Sequence, residues 1–276
     1  MTATKRFVSQ HPILFYSILT FAISWGAVLI MVGPGGFPIA ADQVQLVGVA
    51  MLLGPTVAGL VSTYLTAGGA GMRGLWSRLV KWRVGLGWYA FALLTAPLAT
   101  AIALAILRLS SDRFTPSILT TGDVGTLLVN GIVAGLFVGI FEELGWTGFA
   151  VPQMRRSHGV LATGLLVGLL WGAWHFILFW EADTFSAAMP FALLLARLFS
   201  WLLAYRVLMV WLYDGTQSLF VTMLMHVSLV AGTVIVEPPL LGADLLAYIL
   251  VRAVLFWAMV GAVILLQRRT AASQAA

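Results

Sequence analysis

The sequence predicts an all-α protein, a polytopic membrane helix bundle with about eight transmembrane helices. Of its 276 residues, 61% are hydrophobic and only 9% are charged. A soluble domain normally carries about a quarter charged residues, and its surface needs them. The mean hydropathy of +1.00 agrees with this, and the apolar residues form runs long enough to cross a bilayer. Residues 1–276 are therefore expected to form a single integral membrane domain that has the lipid bilayer as its solvent.

The predicted spans follow from the length of these apolar runs. A span needs about 20 mostly apolar residues, because a helix rises about 1.5 Å per residue. Gly- and Pro-rich stretches at 68–71 and 238–239 separate some of the runs, as turns do. No small-residue cleavage site interrupts the first run, so it is expected to remain as an uncleaved helix. The predicted spans are residues 13–33, 45–66, 88–107, 125–153, 160–180, 190–212, 217–236 and 243–266.

Charge placement supports this map. Lysine and arginine collect on the cytoplasmic side of membrane proteins, and eight spans place nearly all of them on one side, together with both the N- and C-termini. The basic residues expected on the cytoplasmic side are Lys5, Arg6, Arg73, Arg78, Lys81, Arg83, Arg155, Arg156, Arg206, Arg268 and Arg269, against Arg108 and Arg113 outside. The acidic residues do the reverse, with Asp42, Asp112, Asp123, Glu181, Asp183, Glu237 and Asp244 outside and Asp214 inside.

Composition excludes several classes of function. The chain has no cysteine, which excludes disulfides, thiolate catalysis and cysteine-ligated zinc or iron–sulfur sites. The pI near 10.0 and the net charge of +5 reflect the cytoplasmic-side bias, so no nucleic-acid partner is expected. The basic stretch 73–83, which contains Trp76 and Trp82, is expected to lie along the inner lipid surface as an amphipathic segment.

A few polar residues fall inside the predicted spans. A charged side chain there costs at least ~2.5–3.5 kcal/mol on insertion scales, so it usually has a partner and a function. Arg197 and Arg252 lie near the starts of their helices, and their side chains are expected to extend to the outer interface. No such explanation applies to the remaining residues, which are the candidate site: Glu142, Glu143, His175 and His226.

Two stripes of glycine indicate how these residues could meet. Small residues at four-residue spacing let membrane helices approach closely, although such a stripe is by itself a weak signal. Glu142 and His175 each follow a stripe glycine by seven residues, so each lies only about 20° from its stripe. If the stripes face each other, the carboxylate and the imidazole meet, while Glu143 points about 100° away toward another helix. The stripes are Gly131, Gly135 and Gly139 in the fourth span and Gly164, Gly168 and Gly172 in the fifth.

These groups fit hydrolysis by an activated water. A carboxylate in an apolar bundle is suited to take a proton from water, and a histidine beside it can share that proton. A second histidine can donate to the oxyanion that forms when water attacks a carbonyl. Glu142, His175 and His226 could equally hold a divalent metal such as zinc, so the sequence leaves open whether the site has a cofactor. No His-Glu-x-x-His or Gly-x-Ser-x-Gly motif is present.

At these residues the sequence resembles the CPBP family of intramembrane proteases, the CAAX protease and bacteriocin-processing family, also called Abi. The Glu142-Glu143 pair is similar to the start of the family's Glu-Glu-x-x-x-Arg motif, with Thr147 in the arginine position. Trp171 and His175 match its Phe-x-x-x-His motif, with Trp for Phe. His226 matches its His-x-x-x-Asn motif at the histidine only, with Val230 in the asparagine position. The resemblance spans residues 125–235, the expected protease-like core.

The resemblance implies an intramembrane endopeptidase that cuts a membrane peptide or protein. Glu142 and His175 would activate the water, and His226 would stabilise the oxyanion. Family members are often described as metalloproteases, although a mechanism without metal is also argued for them. Thr147 removes a charge that would hold the glutamates in place, and Val230 removes an oxyanion donor that is typically worth about 10²–10³ in rate. Arg197 or Arg206 could replace the missing guanidinium.

Two other functions fit the same residues. A relative that has lost catalysis would act as a membrane immunity or partner-binding protein. A small proton-coupled transporter would use the glutamates as a proton relay, since intramembrane carboxylates also mark such pathways. For all three functions, the sequence favours the inner membrane of a bacterium as the location.

Overall fold

The computed structural model describes residues 3–33, 35–40 and 42–275, with side chains for those from residue 6 to residue 267. These residues form helices, turns and loops, and they contain no strand. The first half of the chain forms α1 (Ala3–Gln10), α2 (Pro12–Val32), α3 (Val44–Met51), α4 (Leu53–Leu79), α5 (Leu86–Arg108), α6 (Ser117–Thr120) and α7 (Val124–Gly145). The second half forms α8 (Val151–Met154), α9 (Val160–Trp174), α10 (Phe176–Phe179), α11 (Ala188–Leu195), α12 (Leu202–Thr216), α13 (Leu219–Val236) and α14 (Gly242–Ala275).

The predicted membrane helix bundle is confirmed, and the chain is an integral multi-pass membrane protein. Seven helical stretches of the described chain are long and apolar enough to cross a bilayer. They are Pro12–Val32, Val44–Leu79, Leu86–Arg108, Val124–Met154, Ala188–Thr216, Leu219–Val236 and Gly242–Gln267. The remaining predicted span, 160–180, is shorter than expected. Its main helix, α9, has 15 residues, because it ends at Trp174 and only the single turn α10 follows.

Two of the long stretches contain a turn of π-helix. Trp146–Ala150 lies between α7 and α8, and Ala196–Ser200 lies between α11 and α12. A π-turn accommodates one extra residue in a helix and is frequent at functional sites. All five residues of the first π-turn are buried, and this turn begins three residues after Glu143. The register of the helix therefore changes immediately after the glutamate pair.

The glycine stripes do not face each other, so the predicted contact between them is wrong. A Cβ on Gly135 would lie 2.6 Å from the carbonyl oxygen of Val227, which places this stripe against α13. A Cβ on Gly164 would lie 2.5 Å from the Cα of Val207, which places the second stripe against α12. A stripe of small residues fits any helix that approaches it. The two stripes therefore bring α7 close to α13 and α9 close to α12.

Side-chain caps fix the starts of α7 and α13, two of the helices that carry candidate residues. The Asp123 carboxylate accepts a 2.9 Å hydrogen bond from the backbone N–H of Thr126 at the start of α7. The hydrogen bonds from Thr126 hold the pKa of Asp123 below its ordinary value. Ser218 accepts a 3.1 Å bond from the N–H of Val221 at the start of α13, and it donates a 2.5 Å bond to the carbonyl of Lys81. Each cap satisfies a backbone donor that the first helical turn leaves free.

Gly145, at the end of α7, is the position where the backbones of two spans approach most closely around the site. A Cβ there would lie 2.1 Å from the carbonyl oxygen of Pro55 in α4. We therefore expect Gly145→Ala to push α4 away and to destabilise the protein by roughly 1–3 kcal/mol, as overpacking does. The measurement is the thermal unfolding of the detergent-solubilised protein. Gly26→Ala is the control, because a Cβ at Gly26 meets nothing within 4 Å, and equal melting of the two variants would contradict this packing.

Candidate active site

A buried ionic cluster surrounds Glu143. Nη1 of Arg206 in α12 donates to both carboxylate oxygens of Glu143 at 2.9 Å, and Nδ1 of His226 in α13 lies 2.8 Å from Oε1. The hydroxyl of Thr147 donates to Oε2. The side chains of Glu143 and Arg206 are both 0% exposed. The cluster therefore joins α7, the first π-turn, α12 and α13 through one carboxylate.

The position of Arg206 corrects a prediction. It is predicted among the charges of the cytoplasmic side, but the residue lies within α12 and its side chain is fully buried. The guanidinium carbon lies 4.1 Å from the centroid of the Trp171 ring, and a cation above an indole face is attracted by the ring quadrupole. Arg206 is therefore held between a carboxylate and an aromatic face, and Glu143 points to another helix, as the helical rotation predicted.

Glu142 points in a different direction from Glu143. Its side chain is 2% exposed, and Oε2 accepts a 2.6 Å hydrogen bond from the indole N–H of Trp171 in α9. This bond, and not a contact between glycine stripes, connects Glu142 to the fifth span. Because the indole holds one oxygen, the second carboxylate oxygen is available to the cavity that Glu142 lines.

The two histidines each have one ring nitrogen engaged. Nδ1 of His175 lies 2.8 Å from the backbone carbonyl of Trp171. A carbonyl only accepts, so Nδ1 carries the proton, and Nε2 of the neutral ring keeps its lone pair. Oε1 of Glu143, which accepts from Arg206, also accepts from Nδ1–H of His226. Nε2 of each imidazole is then the nitrogen available for chemistry.

Three of the four predicted residues line one cavity. Glu142, His175 and His226 border a space of about 400 Å³, whose wall also includes Val230 and Thr233. A second space of about 880 Å³ also borders Glu142 and His175. Glu143 lines neither, since its oxygens are held by the surrounding cluster. The arrangement thus separates a carboxylate that faces open space from one that is enclosed by partners.

Two arginines lie along the wall of the smaller cavity. The side chain of Arg252 was expected to extend to the outer interface, but it is only 5% exposed and is paired with Glu237. Its guanidinium carbon lies 4.1 Å from the centroid of the Trp201 ring. Arg197 is 21% exposed and lies 2.6 Å from Glu181. Both arginines therefore have a carboxylate partner, and neither contacts Glu143, which leaves Arg206 as the guanidinium beside the glutamate pair.

Trp171, which the sequence marks only as the aromatic position of a motif, has contacts in the site that the sequence did not predict. It contacts Glu142 through its indole N–H, His175 through its carbonyl and Arg206 through its ring face. Its ring centroid also lies 5.3 Å from that of His226. The available signal was its position four residues before His175, which places both on one helical face. An aromatic residue in an apolar helix is too common for that signal to stand out.

The predicted metal ligands do not form a metal-binding group in this arrangement. Within residues 3–33, 35–40 and 42–275, no three histidine, aspartate or glutamate side chains are grouped closely enough to hold an ion. One oxygen of Glu142 is bonded to an indole and Nδ1 of His226 to a carboxylate. The second oxygen of Glu142 and Nε2 of each imidazole therefore remain as the atoms available to a ligand in this cavity.

Comparison with known proteins finds a family match for the central part of the chain. Residues 124–231 match the family described as type II CAAX prenyl endopeptidase Rce1-like. A curated relative, CAAX prenyl protease 2 of Methanococcus maripaludis, is 31% identical over 51 residues. That match covers 18% of this chain and 19% of the relative. The family match contains all four candidate residues together with Trp171 and Arg206.

The buried pair between Arg206 and Glu143 generates a stability prediction. Arg206→Met leaves the Glu143 charge without its main partner in a site that water does not reach, so we expect a loss of about 3–5 kcal/mol. The matched control is Arg155→Met. Arg155 lies 2.8 Å from Asp214, but the two side chains are 26% and 34% exposed, and such a pair is worth about 0–1 kcal/mol. Thermal unfolding in detergent compares the two, and similar losses would contradict the assigned burial.

Proposed function

The chain belongs, through residues 124–231, to the CPBP family of CAAX-type membrane proteases, and we propose that it is itself an intramembrane endopeptidase. One observation carries the proposal. Glu142, His175 and His226 come from three different spans, yet all of them border the same cavity. Intramembrane carboxylates and imidazoles are costly, and a set that faces one enclosed space is suited to act on a group bound there.

The proposed reaction begins with a water between Glu142 and Nε2 of His175. The free oxygen of Glu142 takes a proton from this water as the water oxygen attacks the carbonyl carbon of the scissile peptide bond. The lone pair on Nε2 of His175 accepts the second hydrogen bond of the water and orients it. Held by the indole of Trp171, the Glu142 carboxylate has few rotamers to lose, and fixed geometry of this kind lowers the barrier to attack.

His226 would receive the charge that develops on the carbonyl oxygen. While Nδ1–H stays bonded to Glu143, the ring would donate to the oxyanion from Nε2 in its doubly protonated form. The tetrahedral intermediate then collapses and the C–N bond breaks. The proton held by Glu142 passes to the leaving nitrogen, which gives one carboxylic acid and one amine. Glu143 is thus proposed as a positioning residue, and Glu142, His175 and His226 as catalytic residues.

The two departures from the family motifs have different consequences. Thr147 replaces the motif arginine, but Arg206 provides a guanidinium beside Glu143 and Thr147 itself donates to the same carboxylate. The missing charge is therefore replaced from α12. Val230 replaces the motif asparagine and lines the cavity with an apolar group. His226 would then be the principal oxyanion donor, and the enzyme would be slower than relatives that have both donors.

The proposed location is the inner membrane of a bacterium, and the substrate is a membrane peptide or protein. The apolar wall of the cavity, which includes Val138, Leu202 and Leu229, suits an apolar peptide segment. The proposed water activation needs no metal, because every proton transfer has a donor and an acceptor among the residues named above.

Removing the proposed base provides the first test. Glu142→Gln keeps the shape of the side chain but cannot take the proton, so we expect cleavage to fall by roughly 10²–10⁴-fold. Melting should change little, because a Gln oxygen still accepts from Trp171. Mass spectrometry of new N-termini in membranes from cells that produce wild type or variant measures the cleavage. Asp112→Asn is the charge-matched control, since the Asp112 side chain is 96% exposed.

The same experiment distinguishes the other functions. Unaltered cleavage in Glu142→Gln would refute the general-base role. A binding or immunity phenotype that survives this substitution, with no cleavage by wild type, would support the non-catalytic relative. Proton-coupled flux in liposomes that is lost with the carboxylate would support a transporter.

Chelation provides the second test. If water is activated by Glu142 and His175 alone, treatment of the purified protein with EDTA or 1,10-phenanthroline should leave the cleavage rate unchanged. Elemental analysis of the same sample gives the metal content. Loss of cleavage on chelation and its recovery on adding back zinc would refute the metal-free route, while the assignment of Glu142, His175 and His226 to the site would stand.

A further inference from the structure

The loops of the described chain divide the bundle into two distinct ends. At one end, Arg155 pairs with Asp214, and Ser218 bonds to the carbonyl of Lys81. These contacts connect the loops that follow α4, α8 and α12, and we call this the basic end. At the other end, Arg113 pairs with Asp244, and the hydroxyl of Ser117 donates to the carbonyl of Glu237. These contacts connect the loops that follow α5 and α13, and we call this the acidic end.

The smaller cavity runs from the site toward the acidic end. Beyond Glu142 and His226, its wall continues to Glu237, Leu245 and Arg252. Glu237 is the residue that ends α13, and Leu245 lies in the first turn of α14. The cavity therefore reaches the loop between these two helices. Its polar wall in this part, which includes Glu237 and Arg252, is compatible with water.

The larger cavity reaches the same end and also the lipid. Its wall includes Val44 and Gln45 in the first turn of α3, and Phe179 at the end of α10. It also includes Val49 and Phe137, which are 52% and 51% exposed. Exposed apolar side chains on a membrane span face the acyl chains, so this cavity has a lateral opening between α3 and α7 in the half of the bilayer near the acidic end.

The basic end of the site is closed by packed aromatic residues. Trp146 and Phe149 are at most 3% exposed, and Tyr16 packs against both of them, with ring centroids 5.4 and 5.5 Å apart. Two depressions on the surface of the basic end have walls that contain none of the four candidate residues. Both cavities that border Glu142 thus extend from the site toward the acidic end.

The charged residues at the two ends indicate which side of the membrane each end faces. The described loops and helix termini of the basic end carry Arg73, Arg78, Lys81, Arg83, Arg155 and Arg156 with Asp214, whereas those of the acidic end carry Asp112, Asp123, Glu181, Asp183, Glu237 and Asp244 with Arg108 and Arg113. Lysine and arginine near span ends mark the cytoplasmic side. The basic end is therefore cytoplasmic, and the cavities open on the opposite side.

We propose that the site is reached from the non-cytoplasmic side of the membrane, and that its substrate is an apolar peptide segment in the non-cytoplasmic leaflet. The substrate part rests on the proposed protease function, whereas the side of access does not. Water reaches Glu142 through the smaller cavity, and the peptide enters sideways through the larger one. A peptide that remains in the cytoplasm would meet the closed face formed by Tyr16, Trp146 and Phe149.

Single-cysteine labelling tests this directly, because the natural chain has no cysteine to remove. Thr233→Cys places a thiol on the wall of the smaller cavity. Leu241→Cys marks the acidic end, where Leu241 is 81% exposed, and Ser157→Cys marks the basic end, where Ser157 is exposed. Intact cells that produce each full-length variant are treated with a membrane-impermeant maleimide, and labelling is read as a gel shift after quenching.

The expected result is a gel shift for Leu241→Cys and Thr233→Cys in intact cells, and for Ser157→Cys only after permeabilisation. Labelling of Ser157→Cys, but not of Leu241→Cys, in intact cells would invert the orientation and overturn the proposal. Labelling of Leu241→Cys without Thr233→Cys would overturn access through the smaller cavity. None of these outcomes needs catalysis, so they are independent of the effect of Glu142→Gln on cleavage.

Discussion

The structure depends on one buried carboxylate and the groups that surround it. Glu143 accepts from Arg206, His226 and Thr147, and neither it nor Arg206 is exposed. In an apolar medium, an unpaired charge is far more costly than a paired one, so α7, α12 and α13 are held in the rotations that keep the pair together. The neighbouring Glu142 then has its direction set, about 100° around the helix and facing the cavity.

Trp171 extends this constraint to the fifth span. One indole side chain bonds to Glu142, covers the guanidinium of Arg206 and stacks edge-on against His226. Its backbone carbonyl accepts a hydrogen bond from His175 and so fixes the ring proton on Nδ1. Because α9 ends at Trp174, just before His175, the imidazole lies where the helix terminates and is not packed within it. The enclosed carboxylate of Glu143 therefore holds the helices together, and the carboxylate of Glu142, which faces the cavity, remains available to a ligand.

Hydropathy and charge predicted the multi-span bundle and seven of its long apolar stretches, because both are properties of individual segments in lipid. The four candidate residues were found for a related reason, since polar side chains stand out in apolar runs. The contacts between helices were not predicted. The stripes of Gly135 and Gly168 revealed that two helices have a close neighbour, but their spacing does not identify it. Arg206 was counted with the cytoplasmic charges because only its partner, Glu143 in a distant part of the chain, explains a charge inside α12.

Glu142 and His175 border two cavities and form part of the wall between them. If a substrate peptide is cut at this wall, one fragment lies in the narrower cavity, which leads to water. The other fragment lies in the wider cavity, which opens to the acyl chains. The apolar fragment could then return to the bilayer while the polar fragment diffused into water. Release of the two fragments would not have to follow a fixed order, and neither fragment would need to pass back through the space that the other occupied.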